Sequence, residues 1–456
     1  MHKGLLCAVL LFILNGCWSV GPDYRRPEID APDNWRFAEK EVRDLANTAW
    51  WNQFNDPILK ALVNEGLSEN KDLRIATARV EEYFGRYFST RGDQFPFAAA
   101  GAGATRQQLS EQGPYAAGSF DNPYSQYEVN LGARWEIDFW GKYRRASEAA
   151  RAQLLGTEEG RRTVVLTLVT AIAGTYVDLR TLDKQLEITR QTAASRKDTL
   201  DIFAMRLSKG ITSELDLSQI KSQYQDAMAR IPDIVRSVGR TENALSILLG
   251  RNPGPIARGL SIDELSLPEV PAGVPSDILV RRPDIRLAEQ NLVAANARIG
   301  VAKAAYFPSI SLTAALGSVS TDLSDLFTGA TKVWSVGVPL TVPIFSAGRI
   351  GGEVKAAEAF QKQALVGYQQ AVQNAFRETE DALLDRTQSI IRLDALSQQL
   401  EALRNYSRLA RMRYDEGYTS YIEVLDAERS LFDVELAHAA GQDTLFRSLI
   451  AIYKAM

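Results

Sequence analysis

The sequence contains the same unit twice, and this duplication constrains the fold more than any other feature. Three short segments of the first half recur, in the same order, in the second half. They are residues 72–76 (DLRIA) and 284–288 (DIRLA), Phe95-Pro96 and Phe307-Pro308, and residues 206–213 (RLSKGITS) and 413–420 (RYDEGYTS). Recurrence at a long spacing indicates that one structural unit is built twice. We therefore expect a first repeat at residues 56–255 and a second at residues 256–456.

Each repeat holds segments in which apolar and polar residues alternate. The odd-numbered positions of residues 127–139 and the even-numbered positions of residues 334–344 are apolar. Residues 95–106 and 310–316 are the expected partners of these segments. Alternation with a period of two predicts β-strands. At roughly 3.3 Å per residue such strands can cross a hydrocarbon core of about 30 Å, although a soluble sandwich strand would alternate in the same way.

Two long stretches are free of proline and helical in character. Proline is absent between Pro123 and Pro232 and again after Pro343. Residues 142–207 and 353–416 would each form a helix of about 100 Å at 1.5 Å per residue. Because helices of that length cannot be buried in one globule, we expect them to pack side by side as an extended bundle.

Repeated glycines mark the expected ends of these helices. Gly210 and Gly417 follow the two stretches directly, in the position of a C-terminal helix cap. A second helix is then expected to start near Ser213 and near Ser420. The sequence therefore predicts one long helical hairpin in each repeat.

The number of strands determines how the chain must assemble. Two strands per repeat give four per chain, and open strand edges are not tolerated in lipid. Three chains would close a sheet of about 12 strands, an even number within the usual range. We predict an internally duplicated α+β membrane protein with four β-strands and long α-helical hairpins per chain. Its trimer would form a 12-stranded β-barrel.

The first residues of the chain have the pattern of a bacterial secretory signal. Lys3 precedes an apolar run at residues 5–14, and a small residue stands directly before Cys17. The run is shorter than the roughly 20 residues that a membrane-spanning helix needs, which favours a cleaved signal. We expect a signal peptide at residues 1–16 and an N-terminal lipidated segment at residues 17–55, with the lipid on Cys17. The alternative is an ordinary signal peptide with a chance cysteine.

The composition excludes most catalytic and metal-binding chemistry. Beyond the signal, the chain has one histidine, His438, and one cysteine, Cys17. With Cys17 acylated, they cannot form a disulfide, a Cys/His zinc site or a Cys-His dyad. A Ser-His-Asp triad would have to be built on His438 alone, and its place in a helical stretch favours a packed or surface histidine. We therefore expect no catalytic residue, no metal site and no cofactor. With 52 Lys and Arg against 56 Asp and Glu, the chain lacks the excess of positive charge that is typical of nucleic-acid-binding proteins. The sequence therefore predicts that the protein is not an enzyme.

Four further segments carry a resemblance to a known family. They are residues 21–27 (GPDYRRP), 135–141 (WEIDFWG), 281–289 (RRPDIRLAE) and 341–345 (TVPIF). With the duplication, they make the chain resemble the outer-membrane efflux proteins of TolC type, in the NodT- and OprM-like lipoprotein branch. The resemblance implies a lipid-anchored homotrimer that spans the outer membrane and extends as a helical barrel into the periplasm. It also implies a passive exit duct for small molecules, with a periplasmic adaptor (membrane fusion) protein and an inner-membrane efflux pump as partners.

The resemblance also implies a periplasmic gate at the hairpin ends. Glu423 and Asp426 match the family's acidic ring and lie one helical turn apart, hence on one face. Tyr414 matches a tyrosine that bonds an acid across the closed mouth, and Asp216 matches that acid. Thr419 stands where the family has an arginine, which puts one closing link in doubt. The alternative for the two acids is a solvated helix face.

Two other functions remain open from the sequence. A structural or adhesive surface lipoprotein could use the hairpins to brace the envelope, and an exit duct could serve protein secretion. Neither the transported substrate nor the particular pump and adaptor follows from the residues.

Overall fold

The structure contains the same succession of helices and strands twice. The computed structural model describes residues 19–29, 32, 35–36, 49–110, 112, 121–268 and 275–456, so the predicted signal peptide and Cys17 lie outside the described residues. The first half holds a short 3-10 helix (Trp50–Phe54), α1 (Pro57–Glu69), α2 (Lys71–Gly92), β1 (Phe97–Gln107), β2 (Tyr124–Glu136), α3 (Lys142–Ser208) and α4 (Glu214–Leu248). The second half holds α5 (Pro275–Arg281), α6 (Pro283–Ala304), β3 (Ser309–Ser320), β4 (Lys332–Gly337), β5 (Leu340–Thr341), α7 (Arg349–Asp415) and α8 (Tyr421–Ala455).

Three pairs of corresponding helices have equal lengths, whereas α1 has 13 residues and α5 has 7. Helices α2 and α6 have 22 residues each, α3 and α7 have 67, and α4 and α8 have 35. At 1.5 Å per residue, α3 and α7 are each about 100 Å long. The predicted duplication and the two hairpins, α3–α4 and α7–α8, are confirmed. One stretch of α3 is apolar enough for a membrane helix, with a mean hydropathy of 1.3, but half of it is buried within the chain, as in a packed core helix.

Both hairpin turns use the same backbone motif. Gly210 and Gly417 have φ angles of +72° and +79°, a left-handed conformation that glycine adopts without steric cost. In each turn the amide after the glycine donates to the carbonyl five residues earlier: Ile211 N to Arg206 O at 2.9 Å, and Tyr418 N to Arg413 O at 2.8 Å, as in a Schellman motif. The second helices begin directly after Ser213 and Ser420, as predicted.

The strand segments form one antiparallel sheet. Its order is β1-β2-β3-β4, and β5 pairs with β3. One row across the sheet consists of Ala100, Leu131, Leu316 and Trp334, each paired with the next. Paired residues lie on the same face, and the last three are 54%, 60% and 76% exposed. An apolar face that the chain itself leaves exposed is typical of a sheet that faces lipid.

The fourth predicted strand differs from its prediction in one respect. Residues 334–344 were expected as one strand, whereas the structure has β4 ending at Gly337 and a separate β5 at Leu340–Thr341. Pro339 lies in the gap, and proline has no N–H to donate to the ladder. The Pro339 carbonyl still accepts a hydrogen bond from Ser311 N at 3.1 Å. The break therefore interrupts the strand but leaves it beside β3.

Contacts divide the chain into two units that do not follow the repeats. Unit 1 comprises residues up to 28, 79–158 and 287–368, and unit 2 comprises residues 29–78, 159–286 and 369–456. Unit 1 contains the sheet, and unit 2 contains both hairpin turns. Each unit takes residues from both halves of the sequence, because equivalent elements of the two repeats pack together.

A buried carboxylate organises the core of unit 2. Asp56 Oδ1 accepts hydrogen bonds from Ile58 N (2.8 Å) and Leu59 N (3.2 Å), which caps α1. Asp56 Oδ2 accepts from the Tyr176 hydroxyl (2.7 Å) and from Leu260 N (3.0 Å). Burial, reinforced by the hydrogen bond to Asp56, raises the pKa of Tyr176. This group joins α1, α3 and the segment after α4.

Candidate functional site at the hairpin turns

The four predicted gate residues all lie at the two hairpin turns of unit 2. Tyr414 is in the last turn of α7, and Asp216 and Glu423 are the third residues of α4 and α8. Asp426 follows Glu423 by three residues, so both carboxylates share one side of α8. Asp216 and Glu423 occupy equivalent places in the two repeats. The duplication therefore brings an acid to the same point of each hairpin.

Aromatic side chains pack the ends of the two hairpins together. Phe203 of α3 lies 4.6 Å from Tyr421 and 6.4 Å from Tyr414, measured between ring centroids. The ring centroids of Tyr414 and Tyr421 are 5.0 Å apart at an interplanar angle of 69°, an edge-to-face arrangement that aromatic pairs favour. The buried residues of this tip cluster are Phe203, Ile220, Ala410, Tyr421, Val424 and Ala427. The cluster contains residues of all four hairpin helices.

Arg206 links the two hairpins across this cluster. Its Nη1 donates a 2.6 Å hydrogen bond to the Tyr414 hydroxyl. Its guanidinium carbon lies 5.4 Å from the Phe203 ring centroid and 6.0 Å from that of Tyr414, within the range of a cation–π contact. Sequence reasoning missed Arg206. The sequence feature that could have revealed Arg206 is its position at the start of the repeated segment that also contains Gly210.

Asp216, the predicted partner of Tyr414, is engaged elsewhere. Its Oδ2 accepts from the Ser213 hydroxyl (2.7 Å), Thr212 Oγ1 (3.0 Å) and Ser213 N (3.3 Å). Asp216 N in turn donates to Ser213 Oγ at 3.1 Å, which completes a capping box. The hydrogen bond from the Ser213 hydroxyl lowers the pKa of Asp216. In this chain, therefore, Tyr414 bonds Arg206, and Asp216 stabilises the start of α4.

The two acids of α8 each have an arginine partner. Arg413 Nη1 donates to Glu423 Oε1 at 2.8 Å, and Arg429 Nη2 donates to Asp426 Oδ1 at 2.8 Å. Thr419 donates its hydroxyl to Glu423 Oε2. The predicted acidic pair therefore lies on one face, with both carboxylates in ion pairs.

Deeper in the same hairpin, ionisable groups are packed rather than free. Burial raises the pKa of Glu428, and Arg411 and Arg196 oppose that shift. His438 Nε2 lies 3.1 Å from Ser397 Oγ, and burial lowers the pKa of His438. Within the described part of the chain, no three His, Cys, Asp or Glu residues are grouped so that they could hold a metal ion. The hairpin end thus combines a buried aromatic cluster with charged side chains that are paired or packed.

Comparison with protein families identifies the class. The model of the outer membrane efflux protein family matches residues 62–251 and 274–456. The chain belongs to this family. The outer membrane efflux protein described here is the outer-membrane channel component of an efflux system. The predicted location in the outer membrane is confirmed.

Relatives match this outer membrane efflux protein over nearly its whole length. The "Probable outer membrane lipoprotein SilC" of Salmonella typhimurium is 37% identical over 98% of both chains. The "Solvent efflux pump outer membrane protein SrpC" of Pseudomonas putida is 36% identical over 98% of this chain and 96% of its own. The open-state crystal structure of the Neisseria gonorrhoeae MtrE outer membrane channel has a TM-score of 0.88 and 32% identity, and covers 96% of this chain and 97% of its own. The predicted family and its α+β membrane-protein fold are confirmed, and efflux channels are not enzymes.

Proposed function

We propose that three copies of the chain form one passive exit duct that is closed at rest by the hairpin ends. The duct would carry small molecules from the periplasmic side to the outside. An inner-membrane pump would deliver them, and a periplasmic adaptor would join pump and duct. The observation that carries the proposal is the sheet of unit 1, which has an exposed apolar face and two edges.

The edges of the sheet require partners in a membrane. Within the described part of the chain, β1 and β4 each pair with another strand on one side only. An unpaired strand edge in lipid leaves backbone N–H and C=O groups without partners, at a cost of several kcal/mol for each group. Joining β1 of one copy to β4 of the next satisfies both edges, and about 12 strands from three copies lie within the range of known barrels.

The hairpin ends are proposed as the gate. Asp216, Tyr414, Glu423 and Asp426 are its predicted residues, and Arg206 joins them through its 2.6 Å bond to Tyr414. This bond connects the first hairpin to the second, so a separation of the hairpins must break it. Closure at rest would then depend on contacts that are local to the turns.

Lipidation at Cys17 is proposed as a second attachment to the outer membrane. Acyl chains on the mature N-terminus would add to the apolar belt of the barrel. Mass spectrometry of the mature N-terminus tests this: an acylated Cys17 is expected, and an unmodified start at another residue would contradict it. Because the barrel anchors the protein independently, the Cys17→Ser variant should still insert.

Planar-bilayer recording of the purified protein tests the duct itself. We expect discrete conductance steps of small amplitude, since the mouth is closed at rest. A structural or adhesive lipoprotein would give no steps at any voltage. Removing the gate contacts should enlarge the steps, because the hairpin ends would be the narrowest point of the path.

A further inference from the structure

Two of the three acids of the proposed gate, Glu423 and Asp426, are each paired with an arginine of their own chain. Arg413 lies at the end of α7 and bonds Glu423 of α8 across the turn at 2.8 Å. Arg429 lies one turn above Asp426 on α8 and bonds it at 2.8 Å. Together these four side chains carry no net charge. The acidic surface expected from the sequence is therefore a row of ion pairs.

The first hairpin gives an internal comparison. Arg206 and Arg413 begin the two copies of the repeated segment, and Asp216 and Glu423 are the equivalent acids. In the first hairpin, hydroxyl groups hold Asp216, and Arg206 bonds Tyr414 of the other hairpin. In the second hairpin, Arg413 bonds the acid. Pairing of the acid with the arginine is thus a property of the second turn and not of the repeated motif itself.

The ion pairs act on passing ions more than on the stability of the fold. The side chains of Arg413 and Arg429 are 55% and 58% exposed, and exposed ion pairs contribute little to folding. Opposite charges this close cancel each other's field at distances greater than their separation. An unpaired carboxylate in a narrow constriction would instead attract cations and repel anions.

We propose that Arg413 and Arg429 determine the ion selectivity of the mouth by neutralising Glu423 and Asp426. This inference rests on the proposed function, which locates the two acids at the mouth. With the arginines present, the mouth presents no net charge from these four side chains to a passing solute. These four side chains therefore do not by themselves exclude anionic or neutral molecules from the mouth.

Reversal potentials across a potassium chloride gradient test the inference on the purified full-length protein. The double variant Arg413→Gln/Arg429→Gln should raise the cation-to-anion permeability ratio by roughly twofold to fivefold, the effect of unmasking unit charges a few ångströms from a permeating ion. Arg413→Lys keeps the positive charge and should leave the ratio unchanged. Arg236→Gln is the matched control, because Arg236 pairs with Asp233 three residues earlier in the other hairpin, at 2.5 Å.

The acid variants separate this inference from the gate itself. Glu423→Gln with Asp426→Asn should lower the cation-to-anion ratio, since two unneutralised arginines remain. If the acid variant changes the ratio but the arginine variant does not, the inference fails and the gate location stands. If neither variant changes it, the acids are not at the mouth, and the proposed gate fails with the inference. A lower ratio in the arginine variant would also overturn the inference.

Discussion

Arg206 Nη1 donates a 2.6 Å hydrogen bond to the hydroxyl of Tyr414, and this bond joins α3 of the first hairpin to α7 of the second. The two residues come from different repeats and are 208 positions apart in the sequence. Both also contact Phe203, so that the bond is part of the aromatic tip cluster. A link of this kind resists separation of the hairpins.

The first prediction concerns this link. Tyr414→Phe keeps the ring but loses the hydroxyl, and Arg206→Ala loses both the hydrogen bond and the cation–π contact. Both variants should raise the basal conductance in planar bilayers, Arg206→Ala by more. Tyr418→Phe is the control, because the Tyr418 side chain in the same turn is 75% exposed. Equal conductance in all three variants and the parent protein would show that the Arg206–Tyr414 bond does not contribute to the gate.

The second prediction concerns the capping box at the start of α4. Ser213→Ala removes the hydroxyl that Asp216 binds, and Asp216→Ala removes the other half of the box. Each should cost about 1 kcal/mol of helix stability and loosen the first hairpin end to a similar extent. Hydrogen exchange of the amides of residues 214–217 is the measurement. Faster exchange in Asp216→Ala but not in Ser213→Ala would show that Asp216 acts through a partner other than Ser213.

The pH dependence of this box has a definite sign. Because the Ser213 hydroxyl lowers the pKa of Asp216 in the folded protein, the carboxylate stabilises the fold fully above its unfolded pKa of about 4. The contribution is lost as the pH falls through the lower folded value. Exchange of the same amides should therefore quicken, relative to Asp216→Asn, only under acidic conditions.

The third prediction concerns the core of unit 2. Tyr176→Phe removes the donor to Asp56 and the acceptor for Gly259 N, which lies 2.9 Å from the tyrosine oxygen. Since the buried Asp56 carboxylate and the half-buried Gly259 N–H are then left without that bond, we expect a loss of about 1 to 3 kcal/mol. Thermal unfolding monitored by circular dichroism would measure it. An unchanged melting temperature would mean that water replaces the hydroxyl.

The fourth prediction compares the two faces of the sheet. Val336 pairs with Ala314 on the face of Leu316, whereas Ser335 pairs with Ala315 on the other face. Val336→Arg should destabilise the protein by roughly 2 to 4 kcal/mol if the residue is near mid-membrane, and Ser335→Arg should have a smaller effect. Urea unfolding in lipid vesicles is the measurement. The reverse order would mean that the apolar row does not face lipid.

Local rules predicted much of this fold from the sequence. Gly210 and Gly417 were placed correctly because a left-handed turn leaves few residue types to choose from. The alternating segments were recognised as strands. Pro339 interrupts the fourth strand, because proline has no backbone N–H to donate to the ladder, although the apolar alternation continues past it. The hydrogen-bond partner of Tyr414 did not follow from local rules. Asp216 bonds the neighbouring Ser213 instead. Arg206 reaches Tyr414 only because the two hairpins pack together.

The measurement that tests the central claim most directly is disulfide cross-linking between β1 and β4 of neighbouring copies. The chain has two cysteines, Cys7 in the predicted signal and Cys17 at the predicted lipidation site, so introduced thiols are expected to be the reactive ones. A series pairing one cysteine in β1 with one in β4 is oxidised in native membranes, and each single-cysteine variant is the control. The account predicts cross-linked species of two and three chains and none larger. A cross-linked species larger than three chains, or no species above the monomer for any pair, would contradict it.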